Sequence, residues 1–354
     1  MQKGLEKYKR ILITGGAGFI GGNLIKKLLL ETSLEIYNLD KLGYASDVTV
    51  INDCLTHIGR VGKDRYKLLK TDLSKTNETK KAIEKANPEL VIHLAAESHV
   101  DRSIDDPQTF IDSNIQGTYN LLQACLNHYN KLSIERKKKF KFLHVSTDEV
   151  FGSLSAKYSF SEYTRYDPRS PYSATKAASD HLVRAWYHTY NLPILISNCG
   201  NNFGPWQYPE KLIPTIIKKA IKNQKIPIYG DGSNIRDWIY VDDHIDALFL
   251  IISKGAIGES YCIGANQEKT NIEVASEICF LLDKFRPLEN SYKRLLTFVE
   301  DRPGHDLRYS IDSSKIKNKL GWKPKYTFLD ALKLTVDWYL ENENWLLKQR
   351  NKVV

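Results

Sequence analysis

Arg10-Ile-Leu-Ile-Thr-Gly-Gly-Ala-Gly-Phe-Ile-Gly21 is the stretch from which the fold follows. Its first five residues form a near-continuous apolar run, the signature of a parallel strand covered on both faces. Gly15, Gly18 and Gly21 then recur at three-residue intervals, where the strand gives way to an amphipathic segment over 19–30. Such a turn lets backbone approach a pyrophosphate and aims helix N-terminal amides at the anion. A second apolar run over 34–39 leads to Asp40, about twenty residues beyond the glycines, where a carboxylate hydrogen-bonds ribose hydroxyls. An acid there repels a 2′-phosphate, so NAD is expected rather than NADP, although Lys41 alongside softens that preference.

Working outward, β-rich runs alternate with helical ones. Strands are expected at Arg10–Thr14, 34–39, Tyr66–Lys70, 90–94, 141–146 and 194–198, and helices at 19–30, 75–85, 109–129 and 172–190. That alternation predicts an α/β protein with a Rossmann-type, doubly wound parallel sheet. After about Gly200, glycines and prolines punctuate the chain (Gly204-Pro205, Pro209, Pro214, Pro227, Gly230, Gly232). This predicts a smaller α/β lobe, interleaved with the first. The expected division is a dinucleotide-binding domain over 1–200, to which some later segments return, and a mainly substrate-binding lobe over 201–354.

The chain has 354 residues, 42% hydrophobic and 26% charged, the composition of a soluble globular protein. No apolar stretch reaches membrane-spanning length, and Met1 to Arg10 lacks the apolar run of a secretory signal, so a cytoplasmic setting with no membrane partner is expected. Five dispersed cysteines without a Cys-x-x-Cys pair argue against a disulfide framework and against a zinc site; no metal is expected. The net charge of +9 suits an anionic partner. Its densest cluster, Arg136-Lys-Lys-Lys139, has no interleaved aromatics and reads as a solvated loop, not a nucleic-acid surface.

Two further clusters carry chemistry. Tyr172 and Lys176 stand four residues apart, on one face of a helix. A phenol is a poor base at neutral pH unless a nearby cation stabilises its phenolate. Thr147, Asp148 and Glu149 follow the fifth strand. The threonine hydroxyl can hold a sugar oxygen undergoing oxidation. The two acids can remove one proton and deliver another, as loss of water requires and simple oxidation does not. On an extended strand they would face opposite ways, so both reach one substrate only if the strand ends near Thr147 and the chain turns helical.

Together these motifs resemble the dTDP-glucose 4,6-dehydratases of the extended short-chain dehydrogenase/reductase superfamily. The resemblance extends from about Arg10 to Trp345. It also rests on His93-Leu-Ala-Ala-Glu-Ser-His-Val-Asp-Arg-Ser103, Ser146-Thr-Asp-Glu-Val-Phe-Gly152, Tyr172-Ser-Ala-Thr-Lys-Ala-Ala-Ser-Asp180, Asn198-Cys-Gly-Asn-Asn-Phe-Gly-Pro205, Pro209-Glu-Lys-Leu-Ile-Pro214, Arg236-Asp-Trp238 and Asp301-Arg-Pro-Gly-His-Asp306. It implies Tyr172 as base toward the 4-hydroxyl with Lys176 beside it, Thr147 on O4, Glu149 taking the C5 proton and Asp148 as acid on the 6-hydroxyl.

The resemblance also implies cofactor contacts from Phe19, Ile20, Asp40, Lys41, Leu42, Gly43, Asp72, Leu73, Leu94, Ala95, Ala96, Ser98, Ser113 and Asn202. Implied substrate contacts are Ser98, Thr147, Asn201, Lys211, Leu212, Pro227, Ile228, Tyr229, Arg236, Asn271, Asp301, Arg302 and His305, with Arg236 as a fork for the diphosphate. A nucleotide-diphosphate hexose is the implied partner and a homodimer the implied assembly. Phe151 and Phe203 stand where the family usually has tyrosine, Ser113 where it has threonine and Gly200 where it has serine. The residues leave thymidine and uridine diphosphates both open, since one methyl group is worth about 1–3 kcal/mol. A 4-epimerase on the same scaffold needs no acid pair like Asp148-Glu149.

Overall fold

The computed structural model describes residues 4–155, 158–301 and 304–349. Strands run in the order β1 (Arg10–Thr14), β2 (Glu35–Asp40), β3 (Tyr66–Lys70), β4 (Leu90–His93), β5 (Lys141–Thr147), β6 (Ile194–Cys199), β7 (Asn201–Phe203), β8 (Ile226–Tyr229), β9 (Ile235–Tyr240), β10 (Ser260–Ile263), β11 (Glu268–Thr270) and β12 (Leu296–Val299). Seven of them make one parallel sheet ordered β10-β6-β5-β4-β1-β2-β3. The chain winds outward from β1 in one direction and from β4 in the other, which is the doubly wound topology.

Each of the six expected strands is present, with ends moved by at most a residue or two. The seventh, β10, lies beside β6 although sixty residues separate β6 from it in the chain. The helix Val241–Lys254 that precedes it packs Ile245, Leu248 and Ile252 into the same core as Ile11, Leu24 and Ile92. The later chain therefore returns to the first domain and completes its sheet. A three-stranded sheet β11-β9-β7 and the pair β12-β8 form the smaller lobe, over a separate core that includes Phe203, Trp238, Phe328 and Tyr339.

Two helices position the site. Phe19–Glu31 buries Leu24, Ile25, Leu28 and Leu29 on one stripe, which fixes its N-terminus over the glycine turn. Pro171–Tyr190 opens with proline at its first turn and a reciprocal cap between Ser170 and Ser173, and ends at the left-handed Asn191.

The single helix expected over 109–129 differs. It is built as Pro107–Phe110, a π-turn over Ile111–Gln116 and then Gly117–Asn130. Within that wider turn the Asn114 carbonyl accepts hydroxyls from Thr118 and Ser179, and its amide exchanges hydrogen bonds with the Glu97 backbone. Such bulges recur at functional sites. The helices Thr49–Ile58 and Arg60–Arg65 were not expected from the sequence. Among the described residues no helix is long and apolar enough to cross a membrane.

Candidate active site

A cleft opens at the carboxyl ends of β1, β2, β4, β5 and β6, at the point where the strand order reverses, and the smaller lobe closes its far wall. Gly15, with φ +71°, makes the turn out of β1. A Cβ there would sit 2.7 Å from the Ala95 backbone, and one at Gly21 would sit 2.3 Å from the Gly15 carbonyl oxygen. The Phe19–Glu31 helix carries no acid in its first turn and no side chain capping its amides. These features fit a dinucleotide pyrophosphate: backbone alone lines the cradle, and the helix dipole faces it uncompensated.

Asp40 lies at the end of β2, in the cleft and buried, but its carboxylate also organises its own loop. It accepts from the Ala17 and Leu42 amides and from the Ser46 hydroxyl. Lys41 turns across the cleft mouth to Glu97 at 2.6 Å and Ser113 at 3.0 Å, so its charge is countered within the protein. From the opposite side, Glu210 accepts a hydrogen bond from Tyr44, whose ring is stacked beneath Arg102, and Lys211 donates to the Ser98 carbonyl. These contacts join the two lobes over the cofactor end. Glu97, Tyr44, Arg102 and Glu210 were missed in the sequence, though Glu97, Arg102 and Glu210 lie inside quoted motifs.

At the inner end, β5 stops at Thr147, and Asp148–Phe151 forms a 3₁₀ turn capped by the Thr147 hydroxyl on the Glu149 amide. The tighter turn brings Thr147, Asp148 and Glu149 into one cleft with Tyr172 and Lys176. Asp148 is buried, with one carboxyl oxygen lacking a hydrogen-bond partner. Burial, then the nearby Glu149 and Asp237 carboxylates, push it well above the usual carboxylate range, which favours its protonated form.

Burial first and Glu149 second also raise Tyr172, against a lowering hydrogen bond with Thr147. The protein alone therefore keeps this phenol protonated, whereas the Tyr/Lys spacing suggested a lowered value. Lys176 Nζ donates to the Val145 carbonyl at 2.9 Å, and burial lowers it.

Of the remaining expected contacts, Gly18, Phe19, Ile20, Gly43, Asp72, Leu73, Leu94, Ala95, Ala96, Ser98, Ser113, Asn201, Asn202, Lys211 and Leu212 all line the cleft. Leu42 does not; it sits at φ +57° beside the opening and contributes its amide to Asp40. Pro227, Ile228, Tyr229, Arg236, Asn271, Asp301 and His305 gather on the smaller lobe, outside the cleft lining. There Ile228 is in the apolar core, His305 pairs with Asp301 at 2.6 Å and packs edge-on to Tyr229, and Arg236 donates to the Ile235 and Asp306 carbonyls over the Tyr309 ring. Arg302 lies outside the described residues.

Phe151 packs against Phe160 and Tyr166, and Phe203 against Trp238 and Phe328, so both are core rings. Gly200 lines the cleft with no room for a side chain, since a Cβ would lie 2.8 Å from the Asp237 carbonyl oxygen.

The family described as GDP-mannose 4,6 dehydratase matches residues 12–335. A protein of Sinorhizobium fredii named probable dTDP-glucose 4,6-dehydratase is 48% identical over 344 residues, covering 97% of this chain and 96% of its own. The dTDP-glucose 4,6-dehydratase of Shigella flexneri is 47% identical over 346 residues, covering 95% and 94%. Among solved structures, DesIV, a dTDP-glucose 4,6-dehydratase of Streptomyces venezuelae with NAD bound, superposes with a TM-score of 0.85 at 37% identity, covering 96% of this chain and 100% of its own.

Gly21→Ala tests the glycine cradle. Its methyl must displace the Gly15 carbonyl, so calorimetric titration with NAD should show affinity reduced about tenfold or more, about 1.4 kcal/mol, with an unchanged far-ultraviolet spectrum. Undiminished affinity would show that the turn does not face the dinucleotide.

Proposed function

The chain belongs to the GDP-mannose 4,6 dehydratase family, among relatives named dTDP-glucose 4,6-dehydratases, and on that premise we infer that it is an NAD-dependent hydro-lyase converting dTDP-glucose to dTDP-4-dehydro-6-deoxy-glucose. The observation that carries this reading is the acid pair. Asp148, raised well above the usual carboxylate range by burial, stands beside Glu149 in the same cleft as Tyr172, Thr147 and Lys176. An oxidoreductase or 4-epimerase needs no second proton-transfer pair; elimination of water does.

The residues divide the work as follows. Tyr172 would receive the proton of the 4-hydroxyl as a phenolate, supported by Lys176 and by the positive ring of a bound dinucleotide, while Thr147 holds O4. Bound dinucleotide supplies the acceptor for the C4 hydride and its return to C6, with no external reductant. Glu149 removes the C5 proton, which the 4-keto group acidifies, and Asp148 gives its proton to the departing 6-hydroxyl. Glu149 then returns a proton to C5. Asp148 suits its part because burial raises its proton affinity, and Glu149 raises it further. On this reading Arg236, His305, Pro227 and Tyr229, which belong to the smaller lobe, would hold the nucleotide. The five free, buried cysteines suit a reducing cytoplasmic setting.

The assembly we propose is a homodimer. Ile111 in the π-turn, Tyr119 on the Gly117–Asn130 helix and Tyr190 at the end of the Pro171–Tyr190 helix are exposed. Pairing these helices with a second copy would cover those side chains. Equilibrium sedimentation at micromolar protein should give twice the 40.6 kDa chain mass; a mass equal to one chain contradicts the dimer.

The activity is tested by offering dTDP-glucose and UDP-glucose side by side. The thymidine sugar should lose water faster, without stoichiometric NADH in solution, and in deuterated water the product should carry solvent deuterium at C5. Glu149→Gln should still reduce NAD but stall before water is lost, with turnover down about 10²–10⁴-fold. A near wild-type rate in that variant, with deuterium still entering C5, would remove Glu149 from the role of base.

A further inference from the structure

Tyr172, Lys176 and Asp180 recur every fourth residue along the Pro171–Tyr190 helix and so share one face. Asp180 has no exposed surface and lies behind the cleft, outside its lining. A carboxylate without solvent access requires hydrogen bonds and a countercharge. The hydrogen bonds are visible: Tyr166 donates to Oδ2 at 2.8 Å and Asn198 to the same oxygen at 3.0 Å. The countercharge has to be found among the neighbours.

The titratable groups around this carboxylate come from five elements. His144 on β5 approaches Oδ1 at 3.1 Å, without hydrogen-bond alignment. His93 on β4 stacks against His144 at 5.2 Å, its ring nitrogens shared with Thr14 and Thr118. Cys199 ends β6, and Tyr166 comes from the loop before the helix. On the helix itself lie Lys176, one turn toward the active site, and Arg184, which bears on Tyr166. Burial lowers both histidines, helped at His93 by His144 and then Lys176 and at His144 by Lys176, against a raising contribution from Asp180. Asp180 is lowered against its own burial by His144, then by the charge of Lys176 and by Ser146; Lys176, lowered by burial, is in turn raised by Asp180.

We propose that Asp180 is a positioning residue whose buried carboxylate is the counter-ion of Lys176 and keeps that lysine a cation beneath Tyr172. The proposal rests on the dehydratase reading only for what the lysine does; the charge pairing itself stands apart from it. Full burial can bring a lysine down to about pH 5–6 when nothing compensates it. Without Asp180 the ammonium would lose its proton near neutrality, and with it the charge available to a phenolate at Tyr172.

Asp180→Asn keeps the size and the Tyr166 contact but removes the charge. The first readout needs no turnover. A lysine whose folded-state value falls below its unfolded value of about 10.4 binds fewer protons in the native state, so stability rises with pH across that window. The melting temperature of Asp180→Asn should therefore climb between about pH 7 and 10 relative to wild type, and this climb should vanish in Asp180→Asn/Lys176→Ala. The second readout is NAD reduction in the Glu149→Gln background, where the alkaline loss of C4 oxidation should begin at least about one pH unit lower, tenfold in rate beyond that limb.

A structural role alone would scale the rate without moving its pH dependence. An unmoved profile together with a flat melting difference overturns the proposal, as does a displacement that survives Lys176→Ala. Should Asp180→Asn not fold, Asp180→Ser takes its place. It removes the same charge and should move both readouts the same way; no movement overturns the proposal equally. Failure of the melting test leaves the dehydratase reading intact, and absence of dehydration in the wild type leaves the melting test valid.

Discussion

Asp148 is buried at the end of β5 with the partly exposed Glu149 next to it, and a carboxyl group taken out of water beside a second acid resists losing its proton. That constraint at Asp148 and Glu149 organises the rest of the site. It raises the proton affinity of Asp148, which suits a group that must give a proton away. The price is a raised Tyr172, whose phenol feels the same carboxylates. A lysine one turn along the helix, the Thr147 hydroxyl and a positively charged cofactor ring are what can bring that phenol into play.

The scaffold supplies the means. β5 ends at Thr147 because the threonine hydroxyl caps the Glu149 amide, and the 3₁₀ turn that follows brings both acids to the cleft. The glycine turn after β1 brings backbone, not side chains, against the dinucleotide. The smaller lobe reaches back through Tyr44–Glu210 and Lys211–Ser98, so the two halves of the cleft are tied above the cofactor end. A cofactor that is reduced and reoxidised within one cycle gains from such closure, because release midway would end the reaction.

Much of this was legible in the sequence. Apolar runs, glycine spacing and the Tyr172/Lys176 pair are local patterns, and local patterns survive being read one residue at a time. The strand ending at Thr147 was legible as a requirement, since alternation on a strand would have separated the acids. What was not legible depends on distant partners. β10 is four residues in a glycine-punctuated region, recognisable only by its place beside β6. The π-turn at Asn114 arises from hydroxyls of Thr118 and Ser179, the latter on another helix. Asp40 reads as a ribose ligand by spacing, yet Ala17, Leu42 and Ser46 already use its oxygens. Arg236 reads as a phosphate fork, yet its guanidinium bonds to backbone carbonyls.

The central claim is that one site oxidises, dehydrates and reduces the same sugar without exchanging its hydride. The most direct measurement is a crossover experiment. dTDP-[4-²H]glucose is mixed with uniformly ¹³C-labelled dTDP-glucose of natural hydrogen content, and the 4-keto-6-deoxy products are resolved by mass and by NMR. The account predicts deuterium at C6 of the ¹²C product alone. Deuterium distributed into the ¹³C product, or lost to solvent, would contradict it.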